Sequence, residues 1–132
     1  MAMVNPGDRT LTKLDFGRLS QLTSARKAAD LEELLSEAEV LDDFDIPADV
    51  VTMYAQAEIA DMSTKRLQRF VLCYPDHAEP RDGHVSVLSP VGIALLGLRK
   101  GAVARWLSPA GEECSAELLA VVRRGSVGAA ES

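Results

Sequence analysis

The chain has 132 residues, of which 47% are apolar and 26% are charged, and its formal net charge at pH 7 is −6. This length fits one modest core with a small appendage and excludes two large domains, and the composition is that of a folded rather than a disordered protein. The acidic balance argues against direct sequence-specific nucleic-acid binding, because phosphate contacts require clustered Lys and Arg.

The longest apolar stretch, residues 90–98, is far shorter than the roughly 20 residues that a membrane-spanning helix needs, so we expect no membrane association. Residues 1–10 lack the features of a secretory signal and are interpreted as a flexible lead. We therefore expect a cytoplasmic protein in which Cys73 and Cys114 are reduced thiols.

Two helical patterns come first along the chain. Thr12-Lys-Leu-Asp15 has the form of a helix start, and a second pattern of apolar residues at three- and four-residue spacing extends from about Ala28 to Leu41. The connection of residues 23–27 is short, which favours antiparallel neighbours. Residues 1–46 are therefore predicted to form a short antiparallel α-hairpin resembling a coiled coil.

The period changes at Ile46-Pro47-Ala48-Asp49, where proline removes a backbone donor, and we place a domain boundary there. A hairpin turn is predicted at Ser63-Thr-Lys-Arg66 and a short helix starting at Pro90. The fold class is α+β, with the α-hairpin followed by an antiparallel β-sheet domain over residues 47–125 and a flexible tail over residues 126–132. Strands are predicted at residues 50–54, 57–59, 67–74, 85–89, 102–107 and 115–122.

The most specific motif is Val85-Ser-Val-Leu-Ser-Pro-Val-Gly-Ile-Ala-Leu-Leu-Gly-Leu98, which resembles the strand, Ser-Pro corner and short helix of the Gre/Rnk C-terminal domain, FKBP-like in fold. Asp49-Val-Val-Thr-Met53, Tyr74-Pro75 and Trp106 are similar to further features of Rnk proteins. The family's closing Tyr-Gln-Pro-Glu segment is replaced here by Val121-Val-Arg-Arg-Gly125. The chain thus resembles the Rnk family of the Gre-factor superfamily.

This resemblance implies a regulator that docks on RNA polymerase near the secondary channel and competes with other channel-binding factors, without catalytic activity. The matching corner in the family meets the rim of that channel, so Ser89, Pro90 and Val91 become candidates for polymerase contact. The alternative reading of the Ser-Pro pair is a strand end followed by proline at the first position of a helix. An FKBP-like binding module for another protein also stays open.

Acidic residues run from Asp30 to Asp49 with no Lys or Arg between them, which is typical of a solvated helix face. Gre factors carry acids at the tip of a long coiled coil, where they help to hold a metal ion that drives transcript cleavage. Asp30, Glu32 and Glu33 lie closest to the predicted hairpin tip. A helix of about 14 residues reaches only about 20 Å, so we expect no metal role, and a transcript-cleavage factor is kept as an alternative.

Other chemistry finds little support in the sequence. Cys73, His77, His84 and Cys114 match no recognised zinc-ligand spacing, and Cys73 is interpreted as a small buried hydrophobe. No phosphate-binding loop or catalytic motif is present, and six aromatic residues are a poor supply for a prolyl isomerase pocket. We expect a monomer that is not an enzyme, with no cofactor and no small-molecule substrate.

Overall fold

The computed structural model describes residues 9–123 of the chain, which contain helices and strands in both halves. The first half contains β1 (Thr10–Thr12), α1 (Lys13–Ala25), α2 (Ala29–Glu37) and β2 (Glu39–Leu41). The second half contains β3 (Gln56–Asp61), β4 (Leu67–Cys73), β5 (His84–Ser86), α3 (Pro90–Leu95), β6 (Val103–Leu107) and β7 (Glu113–Val122).

The predicted start of the first helix is confirmed. Thr12 is the N-cap of α1, and its hydroxyl oxygen accepts the backbone N–H of Asp15 at 3.0 Å. This bond satisfies one of the backbone donors that a helix leaves unpaired at its N-terminus. Residues 26–28 then connect α1 to α2, and the two helices contact each other.

The second helix is shorter than predicted. The pattern indicated a helix to Leu41, but α2 ends at Glu37 and β2 follows it. β2 pairs in parallel with β1, and the N–H of Glu39 donates to the carbonyl of Arg9 at 2.9 Å. A parallel pair of strands therefore closes the base of the helical hairpin. Strands of three residues are too short to show a periodicity in the sequence, so this pair could not be predicted.

The remaining strands form one five-stranded sheet in the order β5-β4-β3-β7-β6. The contacts between β3 and β4, β3 and β7, and β6 and β7 are antiparallel, which confirms the α+β class. The edge strand β5 pairs in parallel with β4, in contrast to the fully antiparallel sheet predicted. The predicted turn at Ser63–Arg66 is confirmed, because the carboxylate of Asp61 accepts the backbone N–H groups of Ser63 and Thr64.

The strand predicted over residues 50–54 is wrong. Val51 is buried but lies outside a strand, and it exchanges backbone hydrogen bonds with the segment after α3, donating to Leu98 and accepting from Gly97. Tyr54 then takes a φ of 67°, a left-handed conformation that regular strands do not contain. The β-branched run is thus explained by burial beside the C-terminal end of α3.

One hydrophobic core joins both halves of the chain. Leucines of the helical hairpin pack in the same cluster as residues of the sheet and of α3. The boundary predicted between the hairpin of residues 1–46 and the sheet domain of residues 47–125 stays a prediction, and the predicted tail over residues 126–132 lies outside the described residues. The hairpin leucines in this cluster are Leu19, Leu31, Leu34 and Leu35.

No helix between residues 9 and 123 combines the length and the apolar character needed to cross a membrane.

Candidate functional site

The corner between β5 and α3 is built by serine side chains. The hydroxyl group of Ser89 donates to the carbonyl of Ser86 at 2.7 Å, and its oxygen accepts the N–H of Gly92 at 3.1 Å. Ser89 is therefore the N-cap of α3, and Pro90 occupies the first helical turn, where its missing N–H is not needed. Pro90 is exposed at the surface, whereas Ser89 and Val91 are half-buried.

Gly92 allows α3 to approach β5 closely. An ideal Cβ at this position would lie 2.1 Å from the carbonyl oxygen of Ser86, a distance that no side chain can occupy. The Ser-Pro corner thus depends on glycine two residues after the proline. This requirement explains in physical terms why the motif contains Pro-Val-Gly.

The other end of α3 is held by a residue that sequence analysis missed. Arg9 is 5% exposed, and its guanidinium donates to the carbonyls of Ile93 and Leu96, each at 2.8 Å. These carbonyls belong to the last turn of the helix, where a positive charge is favourable. Arg9 and Thr10 are both buried, and the N–H of Thr10 donates to the carbonyl of Gly97. The flexible lead predicted for residues 1–10 is therefore wrong at residues 9 and 10, and residues 1–8 lie outside the described part of the chain.

A cleft of about 380 Å³ lies between α2, α3 and β6. The polar part of its lining consists of two acids of α2, Asp30 and Glu33, and two arginines, Arg9 and Arg105. Pro90 lines the cleft as well. Because successive strand residues point to opposite faces, a cleft that touches residues 105, 106 and 107 lies along the edge of β6. The apolar lining consists of Leu34, Leu88, Ile93, Ala94, Trp106 and Leu107.

The structure brings together residues that the sequence placed in two separate groups. Pro90, from the predicted polymerase contacts, lies on the same cleft as Asp30 and Glu33, from the predicted hairpin tip. Ser89, Val91 and Glu32 do not line the cleft. All three predicted acids are exposed, and Asp30 and Glu32 lie in the first turn of α2, where negative charge stabilises a helix.

A second polar cluster joins α1 to the segment before β3. The carboxylate of Asp15 accepts the N–H of Met53 at 3.0 Å, and burial raises the pKa of this carboxyl above its ordinary value. The pKa of Tyr74 is raised to about 12, mainly by burial of its hydroxyl group and secondly by the nearby negative charge of Asp15. The ring of Tyr54 lies 5.8 Å from those of Tyr74 and His77, and its hydroxyl is hydrogen-bonded to His77. The hydrogen bond between Met53 and Asp15 thus links α1 to the segment that precedes β3.

The cysteines and histidines do not assemble into a site. Within residues 9–123, no group of three or more His, Cys, Asp or Glu side chains is placed to hold a metal ion. Cys73 is fully buried, and burial raises the pKa of its thiol, which confirms its interpretation as a small core residue. Cys114 is partly exposed and forms no disulfide bond.

Comparison with known proteins identifies the family. Residues 46–123 match the C-terminal family of the transcription elongation factors GreA and GreB. The chain is 34% identical over 101 residues to transcription elongation factor GreA of Solidesulfovibrio magneticus, which covers 76% of this chain and 61% of that protein. It is also 34% identical over 85 residues to the regulator of nucleoside diphosphate kinase of Escherichia coli K12, covering 64% of this chain and 62% of that one.

Solved structures agree with this assignment. A prokaryotic transcription elongation factor GreA/GreB from Nitrosomonas europaea superposes with a TM-score of 0.76 at 32% identity, over 88% of this chain and 98% of that one. The chain therefore belongs to the GreA/GreB C-terminal family, and its resemblance to the Rnk branch is supported by the regulator from Escherichia coli. It spans about three fifths of the length of the curated relatives described above.

Proposed function

We propose that this protein is a transcription regulator of the Rnk/Gre type that binds RNA polymerase near its secondary channel through the corner of Ser89, Pro90 and Val91. The observation that carries the proposal is the exposed Pro90, which is held by the Ser89 cap and the close approach of Gly92 and which lines the cleft between α2, α3 and β6. The family membership and the relatives named as elongation factors support the same partner.

The dimensions of the hairpin favour regulation by occupancy. α1 has 13 residues and α2 has 9, so at 1.5 Å per residue the longer helix spans about 20 Å. Its leucines are part of the common core, so the hairpin lies against the sheet domain along much of its length. A protein of this shape would compete with other channel-binding factors without bringing carboxylates to a distant catalytic centre.

Competition on purified core RNA polymerase tests the proposal. We expect the protein to bind the polymerase and to be displaced by a Gre factor, and we expect Pro90→Glu to abolish that binding. We expect the substitution to keep the fold, because Pro90 is exposed and a carboxylate is favourable in the first turn of a helix. Leu67→Glu, at an exposed leucine of β4 away from the cleft, is the matched control.

Absence of binding by the unaltered protein at moderate salt would overturn the assignment. Retained binding by Pro90→Glu would overturn the corner as the contact.

Transcript cleavage is the second candidate, because Asp30 and Glu33 are exposed carboxylates close to the connection between α1 and α2. A cleavage factor would shorten the RNA in stalled elongation complexes, and Asp30→Asn with Glu33→Gln would remove that activity. If the unaltered protein releases no RNA fragment under conditions where a Gre factor does, this candidate is excluded.

A further inference from the structure

The cleft between α2, α3 and β6 has a volume of about 380 Å³ and a largely apolar lining. One or two bulky side chains of a partner fit there, surrounded by the leucines of the lining, Ile93 and the ring of Trp106. The cleft therefore suits apolar anchor residues that project from a partner lying on the surface.

The two rims of this cleft carry opposite charges. Asp30 and Glu33 lie on the α2 side, and Arg105 lies on the β6 side. All three side chains are exposed, and within residues 9–123 none of them forms an ion pair with another charged group. Arg9 at the floor is already engaged by the carbonyls of Ile93 and Leu96. The rim charges are thus available to a bound partner.

We propose that the cleft seats an apolar side chain of RNA polymerase that is flanked by Lys or Arg on the α2 side and by Asp or Glu on the β6 side. This inference rests on the proposed function and adds to it the acids of α2 as part of the docking surface. Charges at a rim select among partners and set the orientation in which a segment docks. Pro90 lines the same cleft, so the corner and the seat form one continuous surface.

The inference gives Asp30 and Glu33 a role in docking. If they formed only a solvated helix face, they would not affect binding to polymerase. If they were cleavage residues, they would act away from the docking corner. Glu32 separates these possibilities, because it shares the first helical turn with Asp30 but does not line the cleft.

The test is the affinity of the intact protein for purified core RNA polymerase at low and moderate salt. We expect Asp30→Lys with Glu33→Lys to weaken binding about tenfold, and Arg105→Glu to weaken it by a similar factor. Glu32→Lys, which reverses one charge in the same first helical turn as Asp30, and Arg66→Glu, at an exposed turn residue, should leave the affinity within about twofold. Thermal unfolding of each variant verifies that the fold is kept.

The outcomes separate the inference from the proposed function. If the unaltered protein binds polymerase and loses binding with Pro90→Glu, but Asp30→Lys with Glu33→Lys has no more effect than Glu32→Lys, the cleft rim is not part of the surface. The inference is then wrong while the function stands. If the unaltered protein does not bind polymerase at all, both are wrong.

Discussion

Gly92 is the residue at which the local geometry of the corner is most demanding. A methyl group there would meet the backbone carbonyl of Ser86 at 2.1 Å, and neither α3 nor β5 can move without disturbing the core. We expect Gly92→Ala to lower the free energy of unfolding by about 2 kcal/mol or more, measured by urea denaturation.

The control for this prediction is Gly17, which lies inside α1 with no atom within 4 Å of an added Cβ. Gly17→Ala should raise the free energy of unfolding by about 0.5–1 kcal/mol, because alanine loses less backbone entropy in a helix. Equal destabilisation by both substitutions would contradict the close approach at Gly92.

The carboxyl group of Asp15 makes the stability of the protein depend on pH. Its pKa in the folded protein is raised above 3.8 by burial, so the folded state binds the proton more tightly than the unfolded state does. Stability then falls as the pH rises from about that value through the folded pKa, and stays lowered above it. We expect the stability of the unaltered protein relative to Asp15→Asn to decrease between pH 4 and neutral pH.

Urea unfolding of the two proteins at both pH values measures this difference directly. A difference that grows in favour of the unaltered protein as the pH rises would mean that the hydrogen bond from Met53 outweighs the burial of the charge.

The helix α3 depends on a distant part of the chain for its C-terminal cap. Arg9 bridges 84 and 87 residues of sequence to reach the carbonyls of Ile93 and Leu96. Charged hydrogen bonds of this kind contribute about 1.5–3 kcal/mol each, so Arg9→Met should destabilise the protein by at least that amount. Denaturant unfolding measures the loss, with the exposed Arg26→Met as control, for which we expect about 0.5 kcal/mol or less.

Elements with local signals were predictable from the sequence, and elements made by distant pairing were not. The Thr12 cap, the Ser63–Arg66 turn and the helix at Pro90 each follow from a few neighbouring residues. β1 and β2 have three residues each and exist because they pair with each other. The run before Tyr54 looked like a strand because it is buried and β-branched, although its hydrogen bonds go to the segment after α3.

The candidate site follows the same division. The Ser-Pro corner was identified from its motif, whereas the cleft beside it requires α2, α3 and β6 to meet in space. Asp30 and Glu33 were singled out for their position near a hairpin tip, and no spacing in the sequence placed them beside Pro90. Arg9 lay in a segment without periodicity, so its role as a cap had no signal in the sequence.

At the scale of the whole molecule, the helical hairpin and the sheet share one core. Leu31 of α2 is fully buried in it, so Leu31→Ala should reduce the free energy of unfolding by about 2–5 kcal/mol. The effect should appear equally in far-ultraviolet circular dichroism and in the fluorescence of Trp106, the single tryptophan of the chain. A fluorescence transition that Leu31→Ala leaves unmoved would instead support separate folding of residues 1–46 and 47–125.

The surface formed by the corner and the cleft is the part of the molecule for which we propose contact with RNA polymerase. Photo-crosslinking can detect this contact, with a photoreactive amino acid placed at Leu107, an exposed residue of the cleft, or at Leu67, which is similarly exposed on β4. With core polymerase, we predict that position 107 crosslinks efficiently, that a Gre factor suppresses the product, and that position 67 stays unreacted. Crosslinking at position 67 but not at position 107 would contradict the proposed contact surface.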